Sequence, residues 1–340
     1  MSTKRDFWID NVKIYACILV VLGHFFQSMV LSEIINQSFM SSWFDQTIYY
    51  FHVPLFFICS GFLYQKFSYV SDFVSWKTNI LKKLLNLGVP YFVFSTLTWV
   101  MKVIFSGSVN NKVDGFFTSI FLKPISPFWY LYALFFLFLI TPTFKNKKNL
   151  LIALTISFFL KIISFLPFDS NIYAIDTVLN NEIWFVIGMC LGFFEFPKSL
   201  NIKKTSVFSV FVSLVFLCLS FVLSLKNINT EWISFILGLM GCFVTIIIIV
   251  ACDRFAFFQR IAEICSQYTL PVFLLHTLCA ATWRSILLKI GIDSAFIHIF
   301  TGLIISFAGP IIIAKIMMKL KWLEFIIYPN KYVKLKNKGV

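Results

Sequence analysis

Long apolar runs, broken at short intervals by lysine-rich or acidic clusters, make up almost all of this chain. A helix needs about 20 apolar residues, at 1.5 Å rise each, to cross the hydrocarbon of a bilayer. Ten runs approach or reach that length: 12–31, 47–64, 84–105, 127–144, 150–166, 182–196, 206–225, 232–251, 268–288 and 295–318. Backbone N–H and C=O groups cannot be left bare in lipid, so the pattern predicts an all-α transmembrane bundle of about ten spans. Pro90 permits a kink in the third. The polar breaks alternate in character. The loops after the second, fourth, sixth and eighth runs, and both termini, hold most of the Lys and Arg; the other loops are poor in them. Cationic loops stay cytoplasmic, so both termini are expected on that side. No soluble insertion, low-complexity linker or fixed-period repeat interrupts the runs, and residues 1–340 read as a single domain.

Composition strengthens this reading. Of 340 residues, 59% are hydrophobic and 13% charged, where a soluble domain is nearer a quarter charged. The net charge of +14 sits in short loops and a basic tail, where it sets topology. The expected partner is therefore the lipid bilayer and not nucleic acid. The eight cysteines include no CxxC pair and read as small hydrophobes. The first run lacks a small-residue cleavage site, so no cleaved signal is expected. The expected location is the plasma membrane, crossed many times, as in a bacterial cytoplasmic membrane. Nothing in the sequence sets the oligomeric state.

Chemistry enters at the first run, RDFWIDNVKIYACILVVLGHFFQ, which carries Lys13 and His24. At about 100° per residue the two fall on nearly one face, about 16 Å apart along the axis. Asp10, Cys17, Val20 and Gln27 lie near that stripe. An ionisable residue inside a span is costly and points to function; the alternative is an imidazole satisfied by a neighbouring helix. His52 and His276 reach comparable depth by residue count. His52, beside Pro54, could instead satisfy a backbone carbonyl, and His276 could bond a neighbouring helix. His298 reads as interfacial, and Arg284 as a snorkelling anchor. Trp129, Tyr130 and Tyr132 stand where interfacial aromatics are expected. No acidic ligand or HxxxH spacing accompanies the histidines, so no metal site is expected.

These residues carry a resemblance. WIDNVKIYACILVVLGH, Trp8 to His24, is similar to the N-terminal signature of the acyltransferase-3 family of integral membrane acyltransferases: a basic residue, ten intervening positions, then His. Asp10 matches the acidic residue just before. FHVPLFFICSGFLY, Phe51 to Tyr64, resembles the family's second-span motif ending in Ser-Gly-Phe. PFWYLYALF resembles its Trp-bearing fourth-span motif, and LPVFLLHTL, Leu270 to Leu278, a late-span element with Phe273 where Tyr is common. The branch resembled most includes fucose and polysaccharide O-acetyltransferases. Two departures stand out. Lys replaces Arg in the first motif, keeping the charge and losing the bidentate fork. The fourth-span motif lacks the Glu that some branches carry.

The resemblance implies transfer of an acyl group, most often acetyl, from cytoplasmic acyl-CoA to a hydroxyl of an extracytoplasmic glycan. Acetyl-CoA or another acyl-CoA is then a donor substrate, and no resident cofactor is expected. Lys13, Asp10, Ser60 and Gly61 are assigned to the donor side, with Lys82, Lys83 and Arg260 near the cytoplasmic face where cations hold phosphates. His24 is assigned as the catalytic group, either a direct base or a carrier of the acyl group. His276, His52 and Trp129 are assigned to positioning the acceptor. The alternative is a polysaccharide or lipid transporter or flippase, whose midplane polar residues would look alike. Against it, the halves show no repeat and no matching pair of Gly/Pro-broken spans. A purely structural scaffold leaves Lys13 and His24 unexplained.

Overall fold

A computed structural model describes residues 5–68, 70, 72–105, 114–166, 171–198 and 200–333, without the Lys203 side chain. Lys4, Lys112, Asp169 and the tail from 334 to 340, all used in the charge pattern above, lie outside the described residues. The regular elements among the described residues are all helical. They are α1 Phe7–Leu31, α2 Phe39–Tyr49, α3 His52–Phe67, α4 Phe73–Lys83, α5 Val89–Ile104, α6 Trp129–Ile140, α7 Lys147–Ile163 and α8 Tyr173–Phe193. Then follow α9 Ile202–Leu225, α10 Glu231–Cys252, α11 Ala256–Cys265, α12 Thr269–Lys289, α13 Ala295–Met317 and α14 Lys321–Ile327.

Each expected run coincides with a helix, and eight helical units are long and apolar enough to cross a membrane. The protein is a polytopic helical bundle. Two runs yield shorter helices: α6 has 12 residues and α7 has 17. Twelve residues cover about 18 Å of a hydrocarbon core about 30 Å thick. Local sequence explains several boundaries. Ser38 and Ser41 form a reciprocal cap that starts α2, and Asp72 and Ser75 do the same for α4. The run α2–α3 breaks at Tyr50–Phe51, and Pro54 falls in the first turn of α3, where a missing N–H leaves no gap. A π-turn, Leu84–Gly88, joins α4 to α5, and Pro90 sits in the first turn after it.

The core is built on the crossing of α3 with α8, the most extensive helix contact in the bundle. There the backbones nearly touch: a Cβ on Gly61 would stand 1.9 Å from the Phe185 carbonyl oxygen, and one on Gly188 2.0 Å from that of Ile58. Small residues permit this approach, which in lipid supplies packing that hydrophobicity cannot. Helices α1, α10 and α12 close around the pair, with Trp8, Phe57, Phe62, Phe185 and Leu274 in the interior.

The loops sort to two ends. At one end Arg5 donates to Ser266 at 2.7 Å, Lys66 pairs with Asp6 at 2.5 Å, and Asn11 donates to Asp253 at 3.3 Å. Gln65 donates to the Phe144 carbonyl there at 2.7 Å, Trp8 packs edge-on to Phe196 at 5.3 Å, and Tyr328 bonds the Gln267 carbonyl. The N-terminal segment, the four lysine- and arginine-rich loops and α14 thus share one end. Glu324 fastens that last segment, accepting from Lys331 at 2.6 Å and Tyr332 at 2.5 Å. These bonds hold its carboxyl below the usual carboxylate range, so the clasp persists in mild acid and is lost only as pH falls through that lowered value. At the other end Trp43 donates to Ser220 at 3.1 Å, and the rings of Phe165 and Trp232 lie 4.2 Å apart.

Candidate functional site

The first helix delivers His24 to a cavity of about 1060 Å³ that reaches from mid-bundle to the lysine-poor end. His52 at the start of α3, Trp129 at the start of α6 and His276 in α12 line the same space. The sequence expectation that three histidines share one layer is met. The rings of His24 and His276 lie 5.5 Å apart, inclined by 34°.

The hydrogen bonds divide the three imidazoles. His52 donates from Nδ1 to the Ile48 carbonyl at 2.6 Å, at the break between α2 and α3. His276 directs its Nδ1–H at two carbonyls of its own helix, Val272 and Phe273, each at 3.0 Å. A carbonyl only accepts, so both rings carry the proton on Nδ1 and present a bare Nε2 lone pair. Nε2 of His276 is buried and without a partner. His24 has no hydrogen-bond partner among the described residues, and the ring points into the cavity wall that it shares with His276. The satisfied-imidazole alternative thus fits His52 in part and fits His24 not at all.

The donor-side assignments part company. Lys13 makes no ion pair among the described residues and lies within electrostatic range of Cys59 and Lys83. The Lys83 ammonium stands 3.8 Å from the centre of the Phe138 ring. Lys13 and Lys83 thus act on each other electrostatically at the basic end. Asp10 does not join them, because Arg5 takes it at 2.7 Å. Ser60 donates to the Tyr130 hydroxyl at 3.0 Å, which donates on to the Phe56 carbonyl at 3.3 Å. Gly61 faces α8 at the close crossing and lines no part of the cavity. The cavity ends at Val20, Phe56, Tyr130 and Phe273, and neither Lys13 nor Ser60 lines it. Phe56, Tyr130 and Phe273 pack mutually at 5.4, 5.7 and 6.2 Å and form its floor.

His298, in the first turn of α13, is 1% exposed and bonded through Nε2 to the Ile292 carbonyl of the preceding loop at 2.8 Å. One expectation is corrected. Arg284 does not snorkel. It is 5% exposed and donates to the Ser28 hydroxyl and to its carbonyl, tying α12 to α1. Residues not singled out from the sequence also enter the site. Lys161 of α7 lines the cavity with Asn180 and Asn181 of α8. Glu182, 6% exposed, lies outside that lining; it accepts from Thr141 at 2.8 Å and leaves its second oxygen without a partner among the described residues.

Comparison with known proteins places this geometry. A family profile described as an acyltransferase domain matches residues 6–315. The chain is 24% identical over 139 residues to the nodulation protein NolL of Mesorhizobium japonicum, covering 41% of this chain and 36% of that protein. It is 29% identical over 147 residues to NolL of Sinorhizobium fredii, covering 42% of this chain and 37% of that one. The matched region thus spans little more than a third of these relatives. No solved structure matches. With the family profile running from the start of α1 into α13, across both Lys13 and His24, the chain belongs to the acyltransferase-3 family of multi-pass membrane proteins.

Proposed function

We propose that the protein moves an acyl group, acetyl in the simplest case, from acyl-CoA at the basic end to a hydroxyl of a cell-surface glycan that enters from the opposite end. The observation that carries this reading is one helix that, among the described residues, holds a lysine with no ion pair at one end and, deep in a chamber, an imidazole with no hydrogen-bond partner. Lys13 and Lys83 supply cations for the CoA phosphates, and a charge-assisted hydrogen bond of that kind is worth about 1.5–3 kcal/mol. His24 takes the proton from the acceptor hydroxyl as its oxygen attacks the thioester carbonyl. The C–S bond breaks, and the CoA thiolate recovers the proton from the imidazolium. His276, 5.5 Å away with a buried Nε2 that has no hydrogen-bond partner among the described residues, orients the acceptor hydroxyl toward His24. Both termini lie in the cytoplasm, in the plasma membrane of a bacterial cell.

Purified protein supplied with acetyl-CoA and extracted surface glycan should add acetyl mass to the glycan. Lys13→Ala should raise KM for the donor about ten- to a hundredfold, while Lys13→Arg stays near wild type. A donor KM untouched by Lys13→Ala would assign this lysine to topology alone. Glycan that crosses the membrane unmodified would favour a transporter.

A further inference from the structure

The outer part of the cavity holds more positive charge than the acyl transfer itself uses. Lys102 of α5, Lys161 of α7, and Arg284 and Lys289 of α12 line it, against one carboxylate, Asp176 of α8. Two of the cations have evident employment. Arg284 is bonded to Ser28, and the Lys289 ammonium sits 6.0 Å from the Phe105 ring.

Lys161 has no such settlement. It is 7% exposed, and its ammonium donates to the Asn180 side-chain oxygen at 2.9 Å. Asn180 in turn donates from Nδ2 to the Asp176 carbonyl at 2.9 Å, which fixes the amide with its oxygen toward the lysine. The Phe165 ring lies 5.1 Å from the ammonium. Acidic groups nearby are Asp176, one turn before Asn180 and lining the same cavity, Glu231, which acts on Lys161 from beyond ion-pair contact, and Asp45 in an adjoining recess. Asp45 is engaged by Gln27 at 2.9 and 3.0 Å. An ammonium has three N–H donors, and Asn180 takes one. A buried cation whose one hydrogen-bond partner among the described residues is a neutral amide is costly unless an anion joins it.

We infer that the acceptor carries an oxyanion, a carboxylate or a phosphate ester, and that Lys161, oriented by Asn180, binds it in the outer part of the cavity. The inference rests on the proposed reading that this chamber receives the acceptor. Asn181 stands beside the lysine. Its Nδ2 donates to the Thr177 carbonyl at 2.8 Å, which leaves its oxygen as the acceptor end of the amide. Trp129 and Trp184 line the same chamber.

The test needs no acyl donor. Methyl glucuronide, glucose 1-phosphate and methyl glucoside are titrated into detergent-purified protein and into protein in phosphatidylglycerol nanodiscs, by calorimetry. At least one anionic sugar should bind tighter than the glucoside by about ten- to a hundredfold. Which of the two prevails separates a sugar carboxylate from a phosphate. Lys161→Gln and Lys161→Met should each erase the preference and leave glucoside binding unchanged, while Lys161→Arg keeps it. Equal binding of all three sugars, or an anion preference that survives both neutral variants, overturns the inference. Loss of the preference in phosphatidylglycerol nanodiscs alone would give the ammonium to a lipid headgroup and overturn it equally. Tight glucuronide binding by a protein that transfers no acetyl group would sink the acyl-transfer reading and leave this one standing.

Discussion

His24 and Lys161 are both ionisable residues inside apolar stretches, yet only one was legible in the sequence. His24 stood on a stripe with Lys13 and inside a family motif. Lys161 has no such company within its run, and in the last turn of α7 nothing in the sequence singled it out. The rule that marks intramembrane charge as functional applied to both. The two histidines now make a direct test at this scale. His24→Gln keeps the volume and a hydrogen bond but cannot accept the proton. It should lose about 10²–10⁴-fold in transfer rate, with donor affinity intact. An active glutamine variant, assayed with acetyl-CoA and glycan, would end the base assignment. His276→Ala should raise KM for the acceptor more than it lowers kcat, because the ring orients the hydroxyl. A kcat loss equal to that of His24→Gln would make His276 the base.

At the scale of elements, the ten apolar runs found ten helices, and the discrepancies have physical causes. The helix α8 begins at Tyr173, nine residues before its expected start, because Asp176, Asn180 and Asn181 look like loop residues. In the structure their side chains face the cavity or fold back onto their own helix, which is how a polar stretch stays helical inside a bundle. That shift moves Glu182 from a helix start to mid-helix and hid it from a sequence reading. The Ser-Gly pair of the second motif split in the same way. Ser60 reaches Tyr130, whereas Gly61 exists to let α3 meet α8. Gly61→Ala should therefore act on stability before chemistry. Its Cβ would meet backbone, which cannot step aside, so the cost should reach or exceed the 1–3 kcal/mol typical of overpacking, about. A thermal unfolding midpoint unchanged from wild type in detergent would show that the helices slide apart freely and that the crossing is looser than drawn.

For the whole molecule, loop charge foretold which loops gather at one end, and the contacts among Arg5, Lys66, Phe144, Phe196 and Ser266 agree with it. Which compartment that end faces is a separate matter. Single cysteines at Lys147 and Glu324 should react with impermeant thiol reagents only after the cells are opened, and one at Asp114 should react in intact cells. Labelling of Glu324→Cys from outside would reverse the orientation and with it the direction of transfer. The aromatic floor of the chamber matters beyond the reaction. A passage wide enough for a pantetheine arm would, if left open, short-circuit the electrical potential and proton gradient on which a cell lives. Phe56, Tyr130 and Phe273 close the chamber from the lysine end, with Tyr130 latched to Ser60 and to its own neighbour's backbone. On the proposed reading, the donor arm reaches His24 only when that latch opens. Tyr130→Ala should make proteoliposomes leak protons, visible as faster collapse of an imposed pH difference reported by a trapped dye, and a membrane that stays tight would place the seal elsewhere.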